Sequence, residues 1–237
     1  MEKYFKIPTS DGFEIKWTLN SKETSKKLII FVHGFTGSMS EAHYYCGKEY
    51  FLAKWYDVFR FNLYTDWIKT RKLRDCSVKI HAQDIQSISE YFVDYEKIYL
   101  VGHSLAGPCF ARVSVFPKNM KKIVFWDPAF EMQTTAERCY EENEKIKYQS
   151  SGKHIEVSKE MYKEFLDNVF LKVLEQQNYP KDRMFAIYAD GDRHINNKPM
   201  TDAMGIESCI IEWANHWFTQ EGKYDELFRK TLEFIER

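Results

Sequence analysis

The sequence of 237 residues lacks the features that would favour a membrane or a polyanion as its partner. Nowhere do about 18 uncharged apolar residues run together, and the N-terminus has no apolar run flanked by basic residues. Lysine and arginine number 34 against 35 for aspartate and glutamate, so no charge excess favours nucleic acid or an anionic membrane. We therefore expect a soluble, cytoplasmic protein whose partner is a small molecule, with no nucleic-acid or membrane partner.

Signatures of metals and cofactors are also missing from the sequence. Neither an HExxH pair of metal ligands nor a GxxxxGK[ST] phosphate loop occurs. The five cysteines are scattered and form no CxxC pair, which indicates reduced thiols and neither a disulfide scaffold nor a zinc site. We expect no metal and no cofactor.

Apolar runs that recur along the chain predict buried strands. They are KLIIFVHG, DVFRFNL, KIYLVG, KKIVFWD, MFAIYAD and SCIIEWA. Stretches with helical spacing lie between them, and two alternating segments around PTSDG predict an N-terminal hairpin turned by Asp11 and Gly12. This alternation predicts an α/β protein with a mostly parallel sheet covered on both faces, where ligands bind beyond the carboxyl ends of the strands.

Residues 130–181 interrupt the alternation of strands and helices. They carry two helical patterns without a clear long strand, between the strands KKIVFWD and MFAIYAD. We expect one domain over residues 1–237, in which this segment is an insertion that acts as a cap or lid over a site. A pair of ordinary crossover helices is the alternative.

The stretch IYLVGHSLAGPCFARV offers Ser104 as a candidate nucleophile. A strand that turns sharply into a helix at Gly-x-Ser-x-Gly exposes the serine and points the helix N-terminus at the developing negative charge. Here Ala106 stands where the motif asks for glycine, and the next glycine is Gly107. A plain glycine turn between a buried strand and a buried helix is the other interpretation, and this stretch alone does not decide between the two.

A serine nucleophile needs a base and donors for the oxyanion. The turn HGFTG follows an earlier predicted strand, so the backbone N–H groups of Phe35 and Leu105 are the expected donors. His33 in this turn is expected to hold the loop by hydrogen bonds. His216, which follows the last predicted strand in EWANHWF, is the expected base.

The acid that orients the base is expected after the preceding strand, in YADGDRHI. Both Asp190 and Asp192 lie there, and we favour Asp192 because it follows Gly191 on a loop that can bend toward an imidazole. A further candidate is Asp127 in VFWDPAF, for which loop capping before Pro128 is the favoured interpretation.

With the HGFTG turn, the turn around Ser104, the acid loop and the segment around His216, the chain resembles the α/β-hydrolase fold family over nearly its whole length. HGFTG, GHSLAG, ADGDRHI and ANHWF occur in the family's order. The resemblance implies an eight-stranded, mostly parallel sheet with helices on both faces and a small helical cap. It also implies Ser104 as nucleophile, His216 as base, Asp192 as acid, and Phe35 and Leu105 as oxyanion donors.

The resemblance further implies a serine hydrolase that cleaves a carboxylic ester of a small acyl or aromatic substrate. The chain looks most like small bacterial carboxylesterases, including cinnamoyl and feruloyl esterases and monoacylglycerol lipases. Those relatives carry a D-x-R-G-x-G-x-S loop, whereas this chain reads FNLYTDWIKTRKLRDCS, with Asn62 in place of the aspartate. A thioesterase, an amide or peptide hydrolase, and a hydrolase-fold binding protein with little turnover are the alternatives.

Four residues are candidate substrate contacts: His103, Trp126, Phe130 and Tyr140. Each lies near the serine or near the insertion, where an aromatic ring could contact an apolar acyl or aromatic group. For the three aromatic residues, plain core packing is the competing interpretation.

Overall fold

The computed structural model describes residues 1–9, 11–22, 25–150 and 152–237. Ser10 of the predicted PTSDG turn and Ser151 of the predicted insertion therefore lie outside the described residues. The strands are β1 (Glu2–Pro8), β2 (Glu14–Asn20), β3 (Lys27–Val32), β4 (Asp57–Phe61), β5 (Lys97–His103), β6 (Met120–Trp126), β7 (Cys139–Glu142), β8 (Lys145–Ser150), β9 (Lys153–Val157), β10 (Met184–Ala189) and β11 (Glu207–Ile211).

Eight of these strands form the main sheet, in the order β1-β2-β4-β3-β5-β6-β10-β11. The pairs β1/β2 and β2/β4 are antiparallel, and the remaining pairs are parallel. The six apolar runs of the sequence form β3, β4, β5, β6, β10 and β11, which confirms the mostly parallel sheet. Since parallel strands point the same way, the loops that follow them all meet at one edge of the sheet.

Helices cover both faces of the main sheet, as the alternation predicts. They are α1 (Ala42–Ala53), α2 (Val78–Tyr91), α3 (Ala106–Ala111), α4 (Gln133–Ala136), α5 (Lys159–Asp167), α6 (Phe170–Gln176), α7 (Lys198–Ala203) and α8 (Lys223–Glu236). On one face α2, α3 and the segment between β6 and β10 pack around a core that includes Ile85 and Phe110. On the other face α1 and α8 pack around Phe51 and Phe228. None of the described helices is both long and apolar enough to cross a membrane.

The segment between β6 and β10 differs from the expected helical cap. It contains α4, α5 and α6, but its middle part is a three-stranded antiparallel sheet in the order β7-β8-β9. Asn143 and Glu144 both have positive φ, as in the tight hairpin turn that suits the twist of two strands. Ile146 and Tyr148 are buried on alternate positions of β8. The alternation of buried and exposed residues is difficult to recognise in the sequence because charged residues are frequent there.

Candidate active site

Ser104 lies between the end of β5 and the start of α3, at the edge of the sheet where the parallel strands end. Its φ of 57° is uncommon for a residue other than glycine and marks a strained backbone. The turn is held by the Ser104 N–H, which donates to the Trp126 carbonyl at 3.0 Å, and by the Gly107 N–H, which donates to the Ser104 carbonyl at 3.0 Å. The backbone therefore has the strand, sharp turn and helix that a nucleophilic serine requires.

Ala106 fits at this turn because the strand beside it carries a glycine. A Cβ added at Gly102 would collide with the Ala106 side chain and lie 2.6 Å from the Phe110 ring. The methyl group of Ala106 thus occupies space that Gly102 leaves open, and the departure from the motif does not disturb the turn.

The HGFTG turn lies directly against Ser104. A Cβ added at Gly34 would lie 3.0 Å from the Ser104 Cβ. His33 Nδ1 donates to the Gly34 carbonyl at 2.8 Å, and its Nε2 accepts the Leu63 N–H at 2.9 Å. Burial lowers the pKa of His33 to about 4, so the ring is neutral and can make both bonds. His33 therefore holds the loop, the role predicted from the sequence.

The backbone N–H groups of Phe35 and Leu105 have no hydrogen-bond acceptor among the described residues. Leu105 immediately precedes α3, so its N–H lies at a helix N-terminus, where backbone donors favour negative charge. The Phe35 ring packs against Tyr148 and Phe165 of the insertion, with ring centroids 4.9 and 5.3 Å away. The insertion thus covers the turn that carries one of the two free donors.

His216 follows β11 and is hydrogen-bonded to Asp127. Its Nδ1 donates to Asp127 Oδ2 at 2.6 Å. Asp127 is fully buried, and its other carboxylate oxygen accepts the Ala189 N–H at 3.1 Å. Burial raises the pKa of Asp127, and the hydrogen bond from His216 opposes that rise. Both carboxylate oxygens are therefore engaged, and the imidazole is held with its proton on Nδ1.

The aspartates after β10 have other contacts. The closest approach of Asp192 to the base is 3.9 Å, from Oδ2 to His216 Nδ1, which is too long for a hydrogen bond. Asp192 Oδ1 instead accepts the His194 N–H at 3.0 Å and caps a short 3-10 helix. Asp190 accepts the Ala214 N–H at 3.1 Å and so holds the loop that leads to His216. In the structure Asp127, and not Asp192, is therefore hydrogen-bonded to His216.

Asp127 lies closer to His216 than Asp192 does because of the register of the central strands. His103 at the end of β5 pairs with Trp126 at the end of β6, so Ser104 and Asp127 follow paired residues of adjacent strands. On the far side of β6, Trp126 pairs with Ile187, and Asp192 lies five residues beyond that position. No feature of the sequence alone shows this register, although the position of Asp127 at a strand end is visible there.

His103 takes no part in an open pocket. It is 2% exposed, its Nε2 donates to the backbone carbonyl of His216 at 2.6 Å, and the two rings lie 4.4 Å apart. Burial, with the neighbouring His216 and His43, lowers the pKa of His103 well below the usual value. We therefore reassign His103 from substrate contact to a residue that positions the loop of the base.

Comparison with solved structures identifies the fold. The chain is similar to Est1E from Butyrivibrio proteoclasticus with bound ferulic acid, at 17% identity and a TM-score of 0.77, over 98% of this chain and 100% of that one. It is also similar to mouse alpha/beta hydrolase domain-containing protein 10, at 14% identity and a TM-score of 0.74, over 99% and 98%. The chain has the α/β-hydrolase fold. Neither a protein-family model nor a curated protein matches the sequence.

A third similar structure, DcsB in complex with its substrate analogue, has 14% identity and a TM-score of 0.78, over 100% of this chain and 98% of that one. The α/β-hydrolase fold implied by the sequence motifs is thereby confirmed. At these identities the likeness concerns the fold and leaves the chemistry to the residues of this chain.

The remaining candidate substrate contacts lie within packed parts of the α/β-hydrolase fold. Trp126 is fully buried, and its Nε1 donates to Thr231 Oγ1 at 2.9 Å under α8. Phe130 is 1% exposed. The Tyr140 hydroxyl is hydrogen-bonded to His154 Nδ1 at 2.6 Å within the sheet of the insertion. We assign Trp126 and Phe130 to the core and Tyr140 to the internal structure of the insertion.

Together, the serine, the imidazole with its carboxylate and the backbone N–H groups form an arrangement that is suited to acyl transfer. Ser104 lies on a strained turn, the Nδ1 proton of His216 is held by a buried carboxylate, and two backbone N–H groups have no acceptor among the residues that the structure describes. Among the described residues the Ser104 hydroxyl makes no hydrogen bond to His216. In free enzymes such bonds are often long and shorten when the substrate binds.

Proposed function

We propose that the chain is a serine hydrolase that cleaves a carboxylic ester of a small acyl or aromatic substrate. The observation that supports it most is the 2.6 Å hydrogen bond between His216 Nδ1 and the buried Asp127. A neutral imidazole whose only proton is held at Nδ1 offers a lone pair at Nε2, which is the state that a general base needs.

The proposed reaction has two steps. In the first, Ser104 Oγ attacks the ester carbonyl carbon while His216 Nε2 accepts its proton. The N–H groups of Phe35 and Leu105 stabilise the oxyanion, and each such donor contributes roughly 10²–10³-fold to the rate in serine hydrolases. The alcohol leaves with the proton from His216. In the second step, water that is deprotonated by His216 attacks the acyl-enzyme and releases the acid.

Two carboxylates lie near the base, and we propose that Asp127 is the orienting acid. Asp192 remains the second candidate because it lies 3.9 Å from the same nitrogen. A shift of His216 toward Asp192 would require the loss of a short hydrogen bond to a carboxylate that has no access to solvent. Such a loss is costly because the buried charge would be left without its partner.

The first experiment is labelling with a fluorophosphonate probe, which reacts with activated serines. We expect the wild-type protein to be labelled and Ser104→Ala to remain unlabelled. Ser114→Ala, which changes an exposed serine close to α3, is the matched control and should be labelled like the wild type. Equal labelling of Ser104→Ala and the wild type would contradict the nucleophile.

The second experiment compares an ester, a thioester and an amide of the same acid, over a range of acyl lengths. The ferulic acid in the Est1E structure supports the inclusion of ferulic acid esters. We expect the highest kcat/KM on the esters. Faster turnover of the thioester or amide would favour those alternatives, and specific labelling without turnover of any substrate would favour a binding protein.

A further inference from the structure

We propose that Asp192, His194 and His216 form a binding site for a transition-metal ion such as Zn²⁺, and that its occupation switches the enzyme off. A carboxylate oxygen and one nitrogen from each imidazole lie within 4.8 Å of one another. The inhibitory effect rests on the proposed function, because His216 is the base of that reaction. Metal binding itself does not depend on it.

The distances between the ligand atoms are close to those of a metal site. Asp192 Oδ1 lies 3.7 Å from His194 Nε2, and Asp192 Oδ2 lies 3.9 Å from His216 Nδ1. Ligands about 2.0–2.1 Å from a tetrahedral zinc ion are roughly 3.3 Å apart. Small side-chain rotations would therefore bring the three groups around one ion.

His194 is the ligand that nothing else in the site explains. It is 5% exposed, yet neither ring nitrogen has a hydrogen-bond partner among the described residues. Its backbone N–H is fixed by the Asp192 carboxylate, so the ring and that carboxylate are held together. An imidazole that has no hydrogen-bond partner and lies beside a carboxylate is suited to bind a metal ion, for which neutral imidazole is the commonest ligand.

A cavity lies beside the proposed site and has His194 in its wall. It has a volume of about 470 Å³, and Arg193, Glu131 and Glu137 lie in its wall together with His194. Two carboxylates against one guanidinium give the wall a net negative charge, which favours the approach of a cation.

The same geometry explains why the ion would inhibit. His216 Nδ1 carries the proton that is hydrogen-bonded to Asp127. When the metal ion binds Nδ1, the single proton of the neutral ring moves to Nε2 and the hydrogen bond to Asp127 is lost, so the bonds to the metal ion must exceed the cost of that loss. Nε2 then has no lone pair for the proton of Ser104, so the first step of acyl transfer stops.

The donor set predicts which ions act. Two imidazoles and a carboxylate suit Zn²⁺, Co²⁺ and Ni²⁺, whereas Mg²⁺ and Ca²⁺ prefer oxygen ligands. We therefore expect inhibition by Zn²⁺ and Co²⁺ that a chelator reverses, and no inhibition by Mg²⁺ at the same concentration.

The test is a titration of the full chain with Zn²⁺ in a buffer that does not bind metal, with ester hydrolysis as one readout. Visible absorption of bound Co²⁺ is the second readout and does not require activity. His194→Gln is expected to raise the half-inhibiting Zn²⁺ concentration by tenfold or more, since the loss of even a supporting partner of a ligand lowers affinity roughly 10–100-fold. Each variant is compared with its own rate in the absence of metal.

His154→Gln is the matched control, because His154 is an exposed histidine on the insertion. It should leave the Zn²⁺ and Co²⁺ titrations unchanged. Asp192→Asn is a second variant in case His194→Gln does not fold, and it should also weaken both titrations, because the side chain loses its charge but keeps an oxygen for the His194 N–H.

Three outcomes would overturn the metal site. One is equal inhibition of the wild type and His194→Gln, the second is an unchanged Co²⁺ spectrum in that variant, and the third is the absence of any Co²⁺ spectrum in the wild type. A wild type that binds Co²⁺ but hydrolyses no ester would instead contradict the proposed function while the site stands.

Discussion

The ends of β6 and β10 each bring an aspartate to His216, and the two differ in how the aspartate is held. Asp127 follows β6 directly, is fully buried and lies 2.6 Å from His216 Nδ1. Asp192 lies on the loop after β10, with its side chain 23% exposed and 3.9 Å from the same atom. A carboxylate at a strand end is fixed by the sheet, whereas one on a loop is available for other partners.

The backbone around the two carboxylates explains the difference. Asp127 Oδ1 accepts the Ala189 N–H of β10, so it also joins two neighbouring strands. One carboxylate oxygen of Asp192 accepts a hydrogen bond from the 3-10 helix that follows it. The first arrangement suits the orientation of a base, and the second suits reversible contact with an ion.

The comparison predicts the largest effect for Asp127→Asn. An amide can donate to Nδ1 and so favour the wrong tautomer of His216, for which a loss in kcat of roughly 10⁴-fold is the known scale in a serine protease triad. Steady-state kinetics on an ester, with circular dichroism to check folding, measures it. If kcat falls by less than about tenfold in a folded Asp127→Asn variant, Asp127 is not the orienting acid.

The next largest effect is expected for His103, which connects the nucleophile turn to the loop of the base. His103→Phe removes the donor to the His216 carbonyl, and a small displacement of a catalytic group costs up to about 10²-fold. The loss should fall on kcat with KM nearly unchanged. His103→Gln can still donate and should recover part of the rate. Equal rates for the two variants would show that packing, and not the hydrogen bond, matters here.

A smaller effect is expected for Asp192→Asn. At 3.9 Å and with partial exposure, its attraction for a charged His216 is worth about 0.2–1 kcal/mol, or less than about tenfold in kcat. The measurement is kcat on the same ester used for Asp127→Asn. A larger loss here than in Asp127→Asn would reverse the order of the two carboxylates.

The last prediction concerns the stability of the fold at acid pH and not the rate of the reaction. His81 is fully buried on α2, neither ring nitrogen has a hydrogen-bond partner in the part of the chain that the structure describes, and burial lowers its pKa from 6.5 to about 3. Between about pH 6.5 and pH 3 the unfolded chain therefore binds up to one more proton at this position than the native protein. This contributes a fall of up to about 1.4 kcal/mol per pH unit in the free energy of unfolding as the pH decreases.

His81→Phe should reduce that fall while activity at neutral pH is kept. Urea denaturation at about pH 7 and about pH 5 measures the difference between the variant and the wild type. An equal pH dependence of the two proteins would show that His81 is not neutral in the native state. If activity is still lost at acid pH in His81→Phe, that loss would come from the active site and not from unfolding.

Sequence reasoning located the six parallel strands of the main sheet and the turns that carry Ser104 and His216 because these signals are local. Ser104 follows an apolar run that is buried on both faces, and His216 follows an apolar run at the edge of the sheet; both runs are visible without a structure. The strands of the insertion were missed because Asn143, Glu144 and many charged neighbours resemble a polar helix. Their pairing depends on a turn with positive φ at two successive residues, and a glutamate at the second of them does not predict such a turn.

By itself, the sequence determined the α/β architecture, the turn around Ser104 and the loop of His216. Each of these depends on neighbouring residues and on the local pattern of apolar side chains. Tertiary structure alone decided which aspartate is held to the base. That choice depends on the register of β5, β6 and β10, a relation between segments more than 20 residues apart. Asp192 and His194 lie beside His216 without the hydrogen bond to Nδ1 that Asp127 makes.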